Sequence, residues 1–388
     1  MTATLTGTFV RDRYTWLAYF LLGYYAYSQA GLGPLMPFLR AELGLNYTLA
    51  GLHLSTFAAG MIIAGLTADR VAQRWGRPLV LWGGGSGMMV GALLLISGRH
   101  PSVTIAGTLL MGWLGTYLLI MIQATLADRH GLRRAIALTE ANVMAALFAT
   151  LAPLLIGIAA GTLLGWRAAV IAAVVAWVGL LLRFRGESVP AANAPIVAAG
   201  GNPAVRLPYT FWLYWVVILL SVAVEWCVIF WGADFLDTVV GLERTLASAL
   251  MSVFLAAMFF GRLIGSRLAF RVASSRLLIV AVVIVVVGFP AFWLGTTPLI
   301  NIAGLFIVGL GVANLFPLGL SAAASLAPDR SNAASARVSL AGGLAILLMP
   351  QLLGSTADQI GIGNAFAIAG VIIVLVLMLT LVANRVTS

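Results

Sequence analysis

Residues 209–235 read YTFWLYWVVILLSVAVEWCVIFWGADF, an apolar run with Glu225 near its middle. A helix crosses the hydrocarbon core of a bilayer in about 20 residues, so the run is long enough to span. An ionised side chain at that depth costs roughly 2.5–3.5 kcal/mol on insertion scales, which makes Glu225 a functional candidate from the outset.

The same pattern repeats along the chain. Twelve apolar runs fall near 14–39, 47–68, 78–98, 102–127, 133–160, 164–183, 209–235, 245–265, 276–295, 298–326, 331–354 and 364–384. The first is too long for the apolar core of a cleaved leader and reads as an uncleaved span. The longest break, 184–208, carries Gly186, Pro190, Pro195, Gly200, Gly201, Pro203 and Pro208 and reads as a linker between six-span halves. Composition agrees: 62% of residues are hydrophobic and 9% charged. A soluble surface needs more charge than that, and a disordered chain carries far fewer apolar residues. The expected fold is an all-α integral membrane protein, twelve transmembrane helices in two pseudo-symmetric six-helix bundles over 1–183 and 209–388.

The chain carries 22 basic residues against 12 acidic ones, and all of the basic ones are arginine. They cluster between spans, which fits membrane topology better than nucleic-acid binding. Basic loops stay on the cytoplasmic side. With the N-terminus inside, the outside loops hold only Arg40, Arg99, Arg167 and Arg244, so both termini are expected in the cytoplasm of a cell (inner) membrane protein. The lone cysteine, Cys227, and three histidines offer neither a disulfide framework nor metal-ligand spacing. Without lysine there is no phosphate-binding loop of the Gly-x-x-x-x-Gly-Lys kind. No nucleophile–base constellation points to an enzyme, and no cofactor is expected.

The halves echo each other at an offset of 197 residues. Phe38-Leu39 matches Phe235-Leu236, Gly44-Leu45 matches Gly241-Leu242, Gly107 and Gly112 match Gly304 and Gly309, and Pro153 and Gly157 match Pro350 and Gly354. A duplicated six-span unit with a cavity between the copies is an alternating-access architecture.

Between spans 2 and 3 lies Gly65-Leu-Thr-Ala-Asp69-Arg70, followed by Arg74-Trp-Gly76-Arg77. With the twelve spans, this stretch resembles the major facilitator superfamily, whose pattern there is Gly-x-x-x-Asp-Arg-x-Gly-Arg-Arg. The present chain has three extra residues before its second Gly-Arg, and Pro78 in place of the last basic residue. The repeat copy, Gly261-Arg262-Leu-Ile-Gly265-Ser-Arg267, is similar to one in sugar-permease-like members. Span 5 holds Ala152-Pro153-Leu-Leu-Ile156-Gly157, a degraded form of a drug-antiporter motif, and span 4 lacks the arginine of those antiporters.

The resemblance implies that spans 1, 4, 7 and 10 line a central cavity. On that basis span 1 offers Tyr24, Tyr27, Ser28 and Gln29, span 4 Trp113, Tyr117 and Met121, span 7 Glu225, Trp226 and Phe230, and span 10 Asn314. Tyr24, Tyr27 and Ser28 share one helical face. The alternative is that these aromatics pack between helices. Glu225 is the expected proton-coupling site, or a carboxyl that only bonds a neighbouring helix. The resemblance also brings spans 5 and 8, and spans 2 and 11, together across the halves. Glu140 and Arg262 are then expected to pair as a gating latch, closed when the carrier faces outward, or else to pair each within its own half. Arg337, the repeat counterpart of Glu140, is expected to reach Asp69 in a second latch with Arg70 and Arg77 nearby, or to bind an anionic solute.

The function expected is secondary active transport of a small organic solute by a monomer, with protons as partners: proton-coupled uptake of a polar metabolite. Export of amphipathic compounds is the runner-up. A non-transporting membrane sensor and a uniporter remain as rivals.

Overall fold

The computed structural model describes residues 9–190, 207–326 and 331–387, and among them every regular element is helical. The helices are α1 (Arg13–Ala30), α2 (Leu32–Leu43), α3 (Tyr47–Trp75), α4 (Arg77–Ser97), α5 (Pro101–His130), α6 (Arg134–Ala160), α7 (Arg167–Phe184), α8 (Tyr209–Thr238), α9 (Arg244–Leu268), α10 (Ser274–Leu294), α11 (Pro298–Ser325), α12 (Ser331–Ile360), the short α13 (Ile362–Ala365) and α14 (Ala367–Thr387). Ten apolar stretches among the described residues are long enough to cross a membrane. One of them, Pro101–Ala160, holds both α5 and α6 and so makes two spans. The broken pair α1–α2 supplies the remaining span, giving the expected twelve.

Local chemistry sets the ends. Asp12 caps α1 by accepting the Thr15 N–H at 2.8 Å, and Asn46 caps α3 through the Leu49 N–H at 2.8 Å. Proline occupies the first position of α5 and α11, where its missing N–H costs nothing. Gly44 closes α2 in the left-handed region, φ 61°, and its repeat partner Gly241 adopts φ 77°.

Three expectations change. The first span is two helices, because Pro34 and Pro37 remove backbone donors just beyond Gly31. The motif around Asp69 and Arg70 is helical, because nothing breaks α3 before Gly76 at φ 81°. Of the expected linker 184–208, residues 191–206 lie outside the described residues.

The pseudo-symmetry is visible atom by atom. A Cβ on Gly112 of α5 would collide with the Phe57 carbonyl oxygen of α3, and one on Gly309 of α11 with the Phe254 carbonyl of α9. Phe57 and Phe254 are themselves 197 residues apart. Gly157 of α6 meets the Thr245 backbone of α9, and Gly354 of α12 meets the Tyr47 backbone of α3. The first two contacts tie helices within a half; the second two join the halves. Small residues permit these approaches because apolar burial gives little drive for helix association in lipid.

Gly112→Val and Gly309→Val are each expected to lose about 1–3 kcal/mol to overpacking. Both should lower the melting temperature in detergent by similar amounts. Gly65→Val, whose Cβ meets nothing within 4 Å, should leave it unchanged. A wild-type melting curve for Gly112→Val would refute the close approach.

Candidate functional site

The halves are joined by polar groups at the end of the bundle opposite the chain termini. Arg40, in the last turn of α2, forms an ion pair with Asp234 in the last turns of α8. Its guanidinium also lies 3.5 Å from the Tyr47 ring centroid, and Tyr47 meets Trp231 edge-on at 5.5 Å. Asp358 of α12 caps α3, accepting the N–H groups of Tyr47 and Thr48 at 2.8 Å each and the Thr48 hydroxyl at 2.5 Å. Nearer mid-membrane, the buried Ser248 hydroxyl donates to the Pro34 carbonyl at 2.7 Å, and Ser55 donates to the Leu347 carbonyl at 2.7 Å. Together these contacts form a seam across spans 1, 2, 7, 8 and 11.

The ion pair is incompletely satisfied. Asp234 is 1% exposed, yet one of its carboxylate oxygens finds no hydrogen-bond partner, and neither does the Arg40 Nε. Partly satisfied buried networks gain little net stability, because each orphan group keeps its desolvation cost. The seam is thus closed by a contact that is costly to break on one side only and cheap to release as a unit.

At the terminus-bearing end the described ion pairs stay within one half. Arg11 holds Glu140 through two bonds, at 2.7 and 2.5 Å, and Tyr19 adds a third at 2.9 Å. Arg77 pairs with Asp128 at 2.6 Å, and Arg129 with Asp12 at 2.5 Å. Burial pushes the Asp12 carboxyl up, but the Thr15 amide and hydroxyl and the Arg129 guanidinium outweigh it and hold it below its usual range.

Neither expected latch is formed in this conformation, and Glu140 takes the alternative, a partner within its own half. Glu140 does not meet Arg262, because α1 packs along α6 and brings Arg11 and Tyr19 to it within the same half. Asp69 is half-buried and makes no described hydrogen bond or ion pair, while Arg70 is exposed. Arg77 is spent on Asp128 instead. Arg337 is half-buried on α12, and its backbone carbonyl accepts the Trp215 indole N–H at 2.8 Å within its own half.

Glu225 stands apart. It is half-buried in the middle of α8 and makes no described hydrogen bond or ion pair. The charge that acts on it is that of Arg262, an exposed side chain on the adjoining α9. The carboxyl and the guanidinium sit on adjoining helices of the same half and form no described ion pair.

The other expected cavity residues divide. Tyr24 stacks on Trp177 of α7 with ring centroids 5.3 Å apart, and the Tyr27 hydroxyl donates to the Ala169 carbonyl at 2.9 Å. Their face looks into the first half rather than between the halves. Ser28 returns its hydroxyl to the Tyr24 carbonyl. Met121 is fully buried, and Phe230 is buried where Gly33 of α2 presses on the α8 backbone. The Asn314 amide donates to the Gly261 carbonyl at 2.8 Å and fills the space over Gly265, so it fastens α11 to α9. Tyr117 ties α5 to α3 through Thr67 at 2.7 Å and accepts the Trp113 indole at 3.1 Å. Gln29 reaches only the Met61 sulfur, at 3.8 Å. Gln29, Trp113, Glu225 and Trp226 remain partly exposed. Helical periodicity places residues on one face; it does not say whether that face meets a cavity or a neighbouring helix.

Arg40, Asp234 and Asp358 were missed by sequence reasoning, since charges at span ends read as loop residues. A signal existed: the 197-residue offset sets Arg40 opposite Asp237, three residues from Asp234, and opposite charges at equivalent positions suit a pseudo-twofold seam.

Two six-span halves, a polar seam at one end and a mid-membrane carboxyl with an arginine on the adjoining helix make up a polytopic membrane protein. The sequence profile of the Major Facilitator Superfamily matches residues 15–328 and again 241–387. The chain belongs to that family, and with it to the secondary transporters. It is 26% identical over 391 residues to an uncharacterised MFS-type transporter of Yersinia pestis, covering 96% of this chain and 95% of the relative. Among solved structures, a bacterial homologue of the human lysosomal transporter Spinster, in an inward-facing and occupied conformation, superposes with a TM-score of 0.83 at 14% identity, covering 98% of each chain. A D323A mutant of the nucleoside transporter NupG gives 0.77 at 13% identity, over 94% of this chain and 99% of that one. A D-xylose–proton symporter gives 0.75 at 13%, over 95% and 96%. At such identities these structures share the fold alone.

Asp234→Asn should strand Arg40 in the seam. Breaking a buried pair by removing one partner costs about 3–5 kcal/mol, and each 1.4 kcal/mol is about a tenfold population change. In a background with Cys227 replaced, a cysteine at Ser248 should then react with a hydrophilic maleimide at least about tenfold faster than when Asp234 is intact. Equal labelling rates would show that the pair does not hold the seam.

Proposed function

We propose that the chain is a proton-coupled secondary transporter that takes up a small polar organic solute by alternating access, with Glu225 as the proton site. The observation that carries this reading is the Glu225 carboxylate, held at mid-membrane without a bonded partner beside the Arg262 charge. Intramembrane acids without a fixed partner mark ion and substrate pathways. A guanidinium, a carboxyl and the nearly free amide of Gln29 supply donors and acceptors for a polar solute rather than a purely apolar one. Moving one charge across the membrane is worth about 2.3 kcal/mol per 100 mV, enough for useful accumulation.

In this reading residues 1–183 and 209–388 are the two moving units of a monomer in the inner membrane, joined by a cytoplasmic linker at 184–208. The arginine bias puts both termini in the cytoplasm. The seam of Arg40, Asp234 and Asp358 is then the outer gate, closed, and the cavity opens inward.

The test is thermal stability of the purified protein against a panel of metabolites and lipophilic cations at pH 5.5 and 7.5, followed by flux in proteoliposomes. A ligand at about 100 times its Kd should add about 2.7 kcal/mol of apparent stability. A polar hit whose stabilisation differs between the two pH values, and no longer differs in Glu225→Gln, is the expected result. A hit with the same stabilisation at both pH values in the wild type would remove Glu225 as the coupling site. Hits confined to lipophilic cations would favour export of amphipathic compounds.

A further inference from the structure

A groove of about 440 Å³ runs between α1, α6 and α7, away from the seam and from Glu225. Its walls are large and apolar on two sides: Phe20 and Tyr24 on α1, Phe148 and Leu155 on α6. On the third side α7 contributes the small residues Ala172, Ala173, Ala176 and Gly179, with Leu180, Arg183 and Phe184 towards its end. The small residues create the space, since a Cβ added at Gly179 would meet nothing within 4 Å. Consistently, only 17% of the apolar stretch of α7 is buried. Behind the groove Tyr27, Ala30 and Ala152 form an apolar cluster of their own, separate from the main core.

The dimensions match one leaflet. From Ala172 to Arg183 a helix rises about 16 Å, half of the ~30 Å hydrocarbon core. Arg183 lies in the last turn of α7, at the terminus-bearing face. Its described contact is with the Phe184 ring, 5.3 Å from the centroid, and it forms no described ion pair. Arg185 follows on the same exposed turn, whereas the nearby Arg13 is engaged by Glu187 at 3.6 Å. An apolar slot one leaflet deep therefore ends at a guanidinium with no acidic partner among the described residues. Basic pockets between helices on the cytoplasmic side suit anionic headgroups.

We infer that this groove is a binding site for an anionic phospholipid of the cytoplasmic leaflet, with one acyl chain lying along α7 and the headgroup phosphate on Arg183. A guanidinium suits this because its forked donors match phosphate oxygens. The site rests on the membrane fold and the charge at its mouth, and it stands whether or not the chain couples to protons.

Native mass spectrometry of the purified full-length protein tests it, with phosphatidylglycerol and phosphatidylcholine of identical acyl chains as probes. Wild type should retain phosphatidylglycerol about fivefold more strongly than phosphatidylcholine, the effect of about one surface charge. Arg183→Gln should bring phosphatidylglycerol down to the phosphatidylcholine level. Gly179→Leu, which grows into open space and so should keep the wild-type melting temperature, should remove the tightly held lipid of either kind. Equal retention of the two lipids by wild type overturns the site, as does either variant holding phosphatidylglycerol as wild type does.

Discussion

Hydrocarbon offers no partner to a peptide N–H or C=O, so each crossing of the membrane must bond its own backbone. Everything else in this molecule follows from that constraint. The crossings are helices, and their backbones have no free groups with which to hold one another. Association then depends on close packing at small residues and on the few side chains that can bond across. Gly112 and Gly309 do the first within each half, Gly157 and Gly354 do it between halves, and the Arg40–Asp234 pair with the Asp358 cap does the second.

The two kinds of contact differ in what they allow. Glycine contacts against a backbone carbonyl are short-ranged and tolerate little sliding, within each half at Gly112 and Gly309 and across the halves at Gly157 and Gly354. The polar seam is concentrated at one end and rests on a pair with an unbonded oxygen and an unbonded Nε. Charge is handled differently at the terminus-bearing end, where Arg11–Glu140, Arg77–Asp128 and Arg129–Asp12 each stay within the first half. Those pairs brace the first half without tying it to the second. The halves thus meet through glycine contacts and a polar seam at one end, while the described ion pairs at the other end stay within the first half.

Much of the fold was legible in the chain, and the candidate site only in part. The spans, the 197-residue repeat and the span 2–3 motif could be read because they are properties of neighbours in sequence. Glu225 could be singled out because a charge inside an apolar run is conspicuous whatever surrounds it. Glu140 was equally conspicuous, yet its partner proved to be Arg11, more than a hundred residues away in the same half. For Tyr24, Tyr27 and Asn314 the sequence left both a cavity and a neighbouring helix open, and in the structure each meets a helix of its own half. An aromatic or amide on a helix serves a packed seam as well as an open cavity.

The amino-acid order alone determined that this chain crosses the membrane twelve times, that its halves are copies, and which charges lie deep. Those follow from hydropathy and periodicity, which act along the chain and need no knowledge of packing. Only the tertiary structure decided which charges meet: Arg40 with Asp234, Glu140 with Arg11, and Glu225 with none among the described residues. An ion pair depends on the relative rotation and depth of two helices. A few ångströms there separate a bond from no bond, and no local pattern records the difference.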